Sequence, residues 1–148
     1  MTHAPEQDWH SVTPEEMTRW GAKGFDGVIG LQYDELTPDR VRAHWTVGPA
    51  MHQPFGITHG GVYCSVIESL ASLAAGLWLG PKGRVVGVNN NTDFLRAVSE
   101  GTLHAEALPI HRGRSQQLWQ VSITDEQQRL VARGQVRIQN LTSPPADA

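Results

Sequence analysis

The sequence predicts an α+β domain in which a long antiparallel sheet wraps around one central helix. Three observations predict it. The segment from Gly60 to Leu79 is apolar on almost every side and is closed by Gly80-Pro81, as a buried helix would be. Four stretches after it, about Arg84–Ala97, Thr102–His111, Ser115–Thr124 and Leu130–Gln139, read as strands separated by short polar turns. Two more strands are expected before the helix. A sheet that carries a single apolar helix must bury it by wrapping around it.

Taken in order, the 148 residues suit one domain. Residues 1–12 are polar and are expected to be a loose terminus, 13–140 the domain, and 141–148 a disordered tail. Thr13-Pro14-Glu15-Glu16 has the form of a helix start, with Thr as N-cap, Pro at the first helical position and Glu at the third. Trp20-Gly21 would end that helix. Strands are expected over Gly27–Leu36 and Arg40–Val47. In the second, Val41, Ala43, Trp45 and Val47 alternate with Arg42, His44 and Thr46, the period of a half-buried strand. A Pro- and Gly-bearing loop, Gly48 to Thr58, leads into the central helix. Turns are expected at Ser99-Glu100-Gly101, His111-Arg112-Gly113 and Asp125-Glu126-Gln127.

Composition narrows function. Hydrophobic residues are 39% and charged residues 18%, with a net charge of −3, so no basic excess suggests a nucleic-acid or membrane-surface partner. A single cysteine, Cys64, permits no intrachain disulfide and no Cys-built metal cage. The first residues lack the pattern of a signal peptide, and Ser65, Glu68, Ser69 and Ser72 interrupt the apolar run of the helix. A cytoplasmic location is expected.

Within the helix, those four polar residues recur at spacings of three and four and form one narrow stripe on an otherwise apolar cylinder. A carboxylate at the edge of a core costs free energy unless it is paired, hydrogen-bonded or used. The plain alternative is that Glu68 faces solvent on an amphipathic helix. What argues for use is the helix entrance, His59-Gly60-Gly61. Two glycines let backbone N–H donors approach a bound group, and the helix dipole adds roughly half a positive charge there. A carbonyl oxygen developing negative charge would be stabilised at that end.

The stretch His59-Gly60-Gly61-Val62-Tyr63-Cys64-Ser65-Val66-Ile67-Glu68-Ser69-Leu70-Ala71-Ser72 resembles the hot-dog thioesterases, specifically the PaaI-like, 4-hydroxybenzoyl-CoA thioesterase branch. Gly87 to Gly101, through Asn89-Asn90-Asn91-Thr92-Asp93-Phe94-Leu95-Arg96, is similar to that branch's strand and turn after the helix. The resemblance spans about residues 25–140. It implies an acyl-CoA substrate and hydrolysis to acid and coenzyme A, with no metal and no organic cofactor, coenzyme A being part of the substrate. By the same resemblance, Glu68 matches the catalytic carboxylate, as nucleophile or as general base. Gly60 matches the N–H that polarises the thioester carbonyl. Gln53 matches a nearby amide, and Ser72 a hydroxyl that orients the carboxylate or water. His59 is expected to fix the loop rather than take a proton, and Gly61 to contact the bound substrate.

Gly60 and Glu68 are eight residues apart, ~12 Å along the axis at 1.5 Å per residue. One helix cannot easily bring both to the same carbon. The spacing therefore predicts a two-fold homodimer with two shared sites, as the resemblance also implies; assembly of such dimers into a homotetramer is expected from the resemblance alone. Other residues carry open readings. The Asn89–Asn91 run either turns amides such as Asn89 and Asn91 to the ligand or marks a bulge. Arg112, Arg114 and Ser115 in a turn could hold the phosphates of coenzyme A, with Arg96 and Lys82 as weaker alternatives. Cys64 reads as a small buried hydrophobe rather than a nucleophile. The spacings of His52 with His59, and of His104 with His111, match no common zinc pattern. Two other functions compete: a non-catalytic acyl-CoA or lipid-binding protein, and an enoyl-CoA hydratase, disfavoured because no His accompanies Glu68 on the helix.

Overall fold

The computed structural model describes residues 11–142. Helix α1 (Pro14–Gly21) begins at Thr13 with the full capping box: the Thr13 side chain accepts from Glu16 N–H and the Glu16 side chain accepts from Thr13 N–H. The next segment corrects an expectation. Phe25–Ile29 is a one-turn helix, α2, and the first strand, β1 (Gln32–Leu36), starts five residues later than Gly27. Gly30 takes φ 75° and donates back to Asp26 O, which stops α2 and turns the chain into the strand. Val28 and Ile29 supplied a β-like signal, but a left-handed glycine after them ends a helix.

Strand β2 (Val41–Val47) shows the expected alternation, buried at 41, 43, 45 and 47. The loop that follows contains a 3₁₀ turn at Pro49–Met51 and a bridge between His52 and Thr58. Central helix α3 runs Gly60–Leu79 and stops at Gly80, as its sequence predicts. Strands β3 (Gly83–Phe94), β4 (Gly101–Arg112), β5 (Gln116–Thr124) and β6 (Leu130–Thr142) complete the chain. Strand β3 ends three residues short of Ala97. Strand β6 runs to Thr142, so residues 141–142, expected in a disordered tail, are paired backbone; the rest of that tail and residues 1–10 lie outside the described residues.

All six strands form one antiparallel sheet in the order β1-β2-β4-β5-β6-β3. Its inner face wraps α3, which packs against β2 through β6. Trp45, Leu103, Trp119, Ile123 and Ile138 from the sheet meet Val66, Ile67 and Leu70 from the helix in one closed core. By length and apolar content α3 could cross a membrane, yet ten of its residues are buried inside this fold. Under its second half, the buried Gln117 side chain donates to Ala75 O and Asn140 Oδ1 and accepts from the Trp119 indole N–H. Those bonds satisfy the polar groups that burial would otherwise leave unpaired. The order leaves β1 and β3 as the sheet's edges, and β3 is the edge beside the helix's polar stripe.

Candidate active site

The entrance to α3 is held from both sides. His59 N–H donates to Met51 O, while the His59 ring Nδ1 accepts from Gly61 N–H at 2.8 Å. A nitrogen that accepts cannot carry a proton, so this imidazole acts as the N-cap through its lone pair. Gly61 N–H, expected to contact the substrate, is thereby occupied within the chain. Gly60 N–H, in contrast, has no acceptor among the described residues, and it sits at the positive end of a 20-residue helix. Gly60 opens onto a 360 Å³ cleft lined by Gln53, Tyr63, Phe94, Leu95 and Arg96. The Gln53 carboxamide oxygen accepts from Phe55 N–H, and its NH₂ has no acceptor among the described residues. The Phe94 ring lies against Gly60, where an added Cβ would come within 2.7 Å of it.

Two turns along, the polar stripe is not a solvated face. Ser65 Oγ donates to Gly61 O, and Ser69 Oγ donates to Asp26 at 2.7 Å. Asp26 also accepts from the Tyr33 hydroxyl at 2.8 Å; burial, then the Asp26 charge and this bond, push the phenol far above its usual range. Glu68 is half-buried, and both of its oxygens are occupied. Ser72 Oγ reaches Oε1 at 3.3 Å and the Asn90 Nδ2 group reaches Oε2 at 3.2 Å. The carboxylate fits only because residue 87 is glycine: a Cβ there would stand 2.2 Å from Oε1.

The register of β3 shows the bulge and turns Asn89 and Asn91 away from the helix. A bulge lies between Gly87 and Asn89. Gly87 pairs with the buried Ile138 and Asn90 with the buried Val136, so both face the helix. Asn89 and Asn91 pair with the exposed Arg137 and Gln135 and point to the outer face. Asn90, rather than Asn89 or Asn91, is therefore the amide that meets the carboxylate. Alternation from Gly87 alone would have turned residue 90 outward.

Among the described residues, the cleft at Gly60 includes neither Glu68 nor Ser72. Ser72, the partner of Glu68, lines a separate 390 Å³ groove with Met17, Leu73, Gly76, Arg84 and Val85, mostly apolar. Along β3 between and beyond them, Val86, Val88, Phe94 and Leu95 are exposed, Phe94 and Leu95 by more than half. A 470 Å³ depression on the outer sheet face, among Asp34, Arg42, His104 and Ser122, contains none of the predicted site residues.

The basic turn is placed elsewhere. Arg112 pairs with Asp39 at 2.7 Å, donates to Pro38 O and stacks over Trp78 and Trp119, near the C-terminal end of α3. Arg114 and Ser115 are exposed, and their carbonyls accept from Asn140. Arg96, weighed as a weaker phosphate ligand, is the cation that lines the Gly60 cleft. Lys82 is exposed in the turn after α3. Cys64 is half-buried, and its carbonyl accepts from Asn90. Among the described residues no three His, Cys, Asp or Glu side chains are grouped to hold a metal ion.

Comparison with known proteins agrees with this architecture. Residues 55–132 match the family model described as the thioesterase superfamily. A Mycobacterium tuberculosis protein, Rv1847, provisionally named an esterase, is 57% identical over 124 residues, 82% of this chain and 89% of the relative. Its solved structure superposes with a TM-score of 0.78 over 82% of this chain and 98% of that one. The 1,4-dihydroxy-2-naphthoyl-CoA hydrolase of Escherichia coli is 31% identical over 119 residues, covering 80% of this chain and 88% of the enzyme. Haemophilus influenzae thioesterase HI1161 is 29% identical, with a TM-score of 0.85 over 96% of this chain and 100% of that one.

Proposed function

This chain belongs to the thioesterase superfamily of hot-dog-fold hydrolases, and from that premise we propose that it hydrolyses an acyl-CoA thioester to the free acid and coenzyme A at a site shared by two copies. The observation that carries the reading is Glu68: a carboxylate in the gap above Gly87, with a hydrogen bond to each oxygen. A structural carboxylate needs no such gap opening onto an exposed strand edge.

In the proposed reaction the acyl carbonyl oxygen lies against Gly60 N–H. That donor and the helix dipole stabilise the charge that develops on it. The free NH₂ of Gln53 is a second donor on the same cleft. Glu68 either attacks the carbonyl carbon, expelling coenzyme A thiolate and leaving an anhydride for water to cleave, or removes a proton from the water that attacks. Ser72 orients the carboxylate in both versions. The reaction so drawn uses no metal and no organic cofactor. One relative is named for its action on an aromatic acyl-CoA; the apolar groove beside Ser72 suits an acyl group of apolar character.

The shared site rests on two observations. The Gly60 cleft and the Ser72 groove are separate in one chain, and β3 is an edge strand that exposes Val86, Val88 and Phe94, with exposed Leu95 directly after it. Strand-to-strand docking of two copies along β3 would pair that edge and set Gly60 of one beside Glu68 of the other. Release of free thiol from a panel of acyl-CoAs tests the activity. Glu68→Ala should lower kcat by on the order of 10³-fold, since it removes the reacting group. Wild-type hydrolysis by that variant would refute the mechanism, and binding without hydrolysis by the native protein would favour a carrier role.

A further inference from the structure

We propose that Asn90 is a positioning residue that holds the Glu68 carboxylate in its reactive orientation. This deepens the hydrolase reading above and rests on it. The Asn90 side chain makes three bonds. Its NH₂ group donates to Glu68 Oε2 at 3.2 Å and to Cys64 O at 3.0 Å, and its Oδ1 accepts from Thr92 Oγ1 at 2.7 Å. Chemistry alone fixes which end of the amide is which. A flipped amide would set its oxygen against a carboxylate and a carbonyl, both acceptors, and its NH₂ toward the hydroxyl.

The arrangement constrains the carboxylate in a way Ser72 alone does not. Cys64 stands one helical turn before Glu68, so Asn90 ties the carboxylate to the backbone of its own helix. A long, flexible side chain is thereby fixed at its far end from β3 and from α3 together. Thr92, two residues along the same face, locks the amide that does the tying. Gly87 on that face leaves the space the oxygen occupies. Three consecutive inward positions of β3 are thus given over to one functional group: an absent side chain, an amide and a hydroxyl.

The bulge is what makes this possible. Gly87 and Asn90 are an odd number of residues apart and would face opposite sides of a regular strand. The extra residue between Gly87 and Asn89 brings both to the helix side. Asn is a poor strand former, and a bulge weakens the local ladder. Within one chain packing offers no compensation, because Asn90 is exposed there.

The test measures kcat, KM and melting temperature for Asn90→Ala, Asn90→Asp and Thr92→Val, with Glu68→Ala in parallel. Asn90→Ala should lower kcat by on the order of 10-fold and change KM by less than about twofold, as expected for loss of orientation rather than binding. Asn90→Asp keeps the shape but turns an acceptor toward the carboxylate, and should be slower than Asn90→Ala. Thr92→Val should move kcat in the same direction by less. Wild-type kcat in Asn90→Ala would overturn the proposal. So would full activity in Asn90→Asp, because only a packing role tolerates that isostere. If Glu68→Ala retains activity, the hydrolase reading itself fails; if Glu68→Ala is inactive while Asn90→Ala is unimpaired, only the role of Asn90 fails.

Discussion

Replacing Gly87 by alanine separates the chemistry of this site from its stability. The backbone at residue 87 is not in the left-handed region, so an L side chain is accepted without strain. Alanine also loses less conformational freedom than glycine on folding, which favours the variant by up to about 1 kcal/mol. The added Cβ would stand 2.2 Å from Glu68 Oε1 and 3.2 Å from its carboxyl carbon. The carboxylate must therefore retreat by about 1 Å, and a misplacement of that size costs on the order of 10²-fold in rate, or ~2.7 kcal/mol. Its bonds to Ser72 and Asn90, at 3.3 and 3.2 Å, have little room to stretch. Thiol-release kinetics should show kcat reduced about 100-fold while thermal melting is unchanged or slightly higher. Full kcat in a normally folded Gly87→Ala protein would mean that the observed position of Glu68 is not the reactive one. A collapse in melting temperature would mean that the gap serves packing.

Shared sites can be tested by mixing. Glu68→Ala chains combined with Gly60→Val chains should recover about a quarter of native activity, because half the dimers are mixed and each has one intact site; no recovery argues that each chain works alone. The phosphate ligands can be sorted by KM. Arg96→Ala should raise KM for acyl-CoA several-fold, and so should Arg114→Ala if the turn is used, whereas Arg112→Ala should lower the melting temperature because it removes the Asp39 pair and the Trp stacking. An unchanged KM in both Arg96 and Arg114 variants would remove phosphate binding from both. Acid stability should depend on Asp125. Desolvation would raise its carboxyl, but the Arg129 amide and guanidinium and the Gln127 amide prevail and hold it below its ordinary value of 3.8. A depressed carboxyl contributes stability above that ordinary value and loses it as pH falls through the folded one. Asp125→Asn should therefore melt lower than native at neutral pH, with the gap closing below about pH 4; a gap independent of pH would refute the sign.

Much of this fold is written locally. The central helix is legible to the residue because a 20-residue apolar run closed by Gly80-Pro81 has no other stable form, and β2 because its alternation is unbroken. Segments whose state depends on a single backbone angle are not legible in the same way. Phe25–Ile29 is short and apolar, and only the positive φ at Gly30 settles it as helix. Nor could the order of the sheet be read from pattern. That β3 lies outside β6 and forms an edge follows from pairings between residues 38 to 59 positions apart, to which local periodicity is blind.

The same division runs through the candidate site. Gly60, Glu68 and Ser72 lie on one helix, where a fixed 3.6-residue period converts sequence spacing directly into geometry, and their separation already implies a second copy. Asn90 lies on a strand, where the period is two and one extra residue inverts every side chain beyond it. A run of three asparagines presents an amide to the helix in any register, so its presence hinted that some amide would reach inward. Which one does so depends on the bulge after Gly87, which the asparagine run suggests but does not locate to a residue. The helix half of the site is thus fixed by covalent spacing, and the strand half by how β3 pairs with β6. Variants that shift this register should accordingly impair Glu68 without touching the helix that carries it.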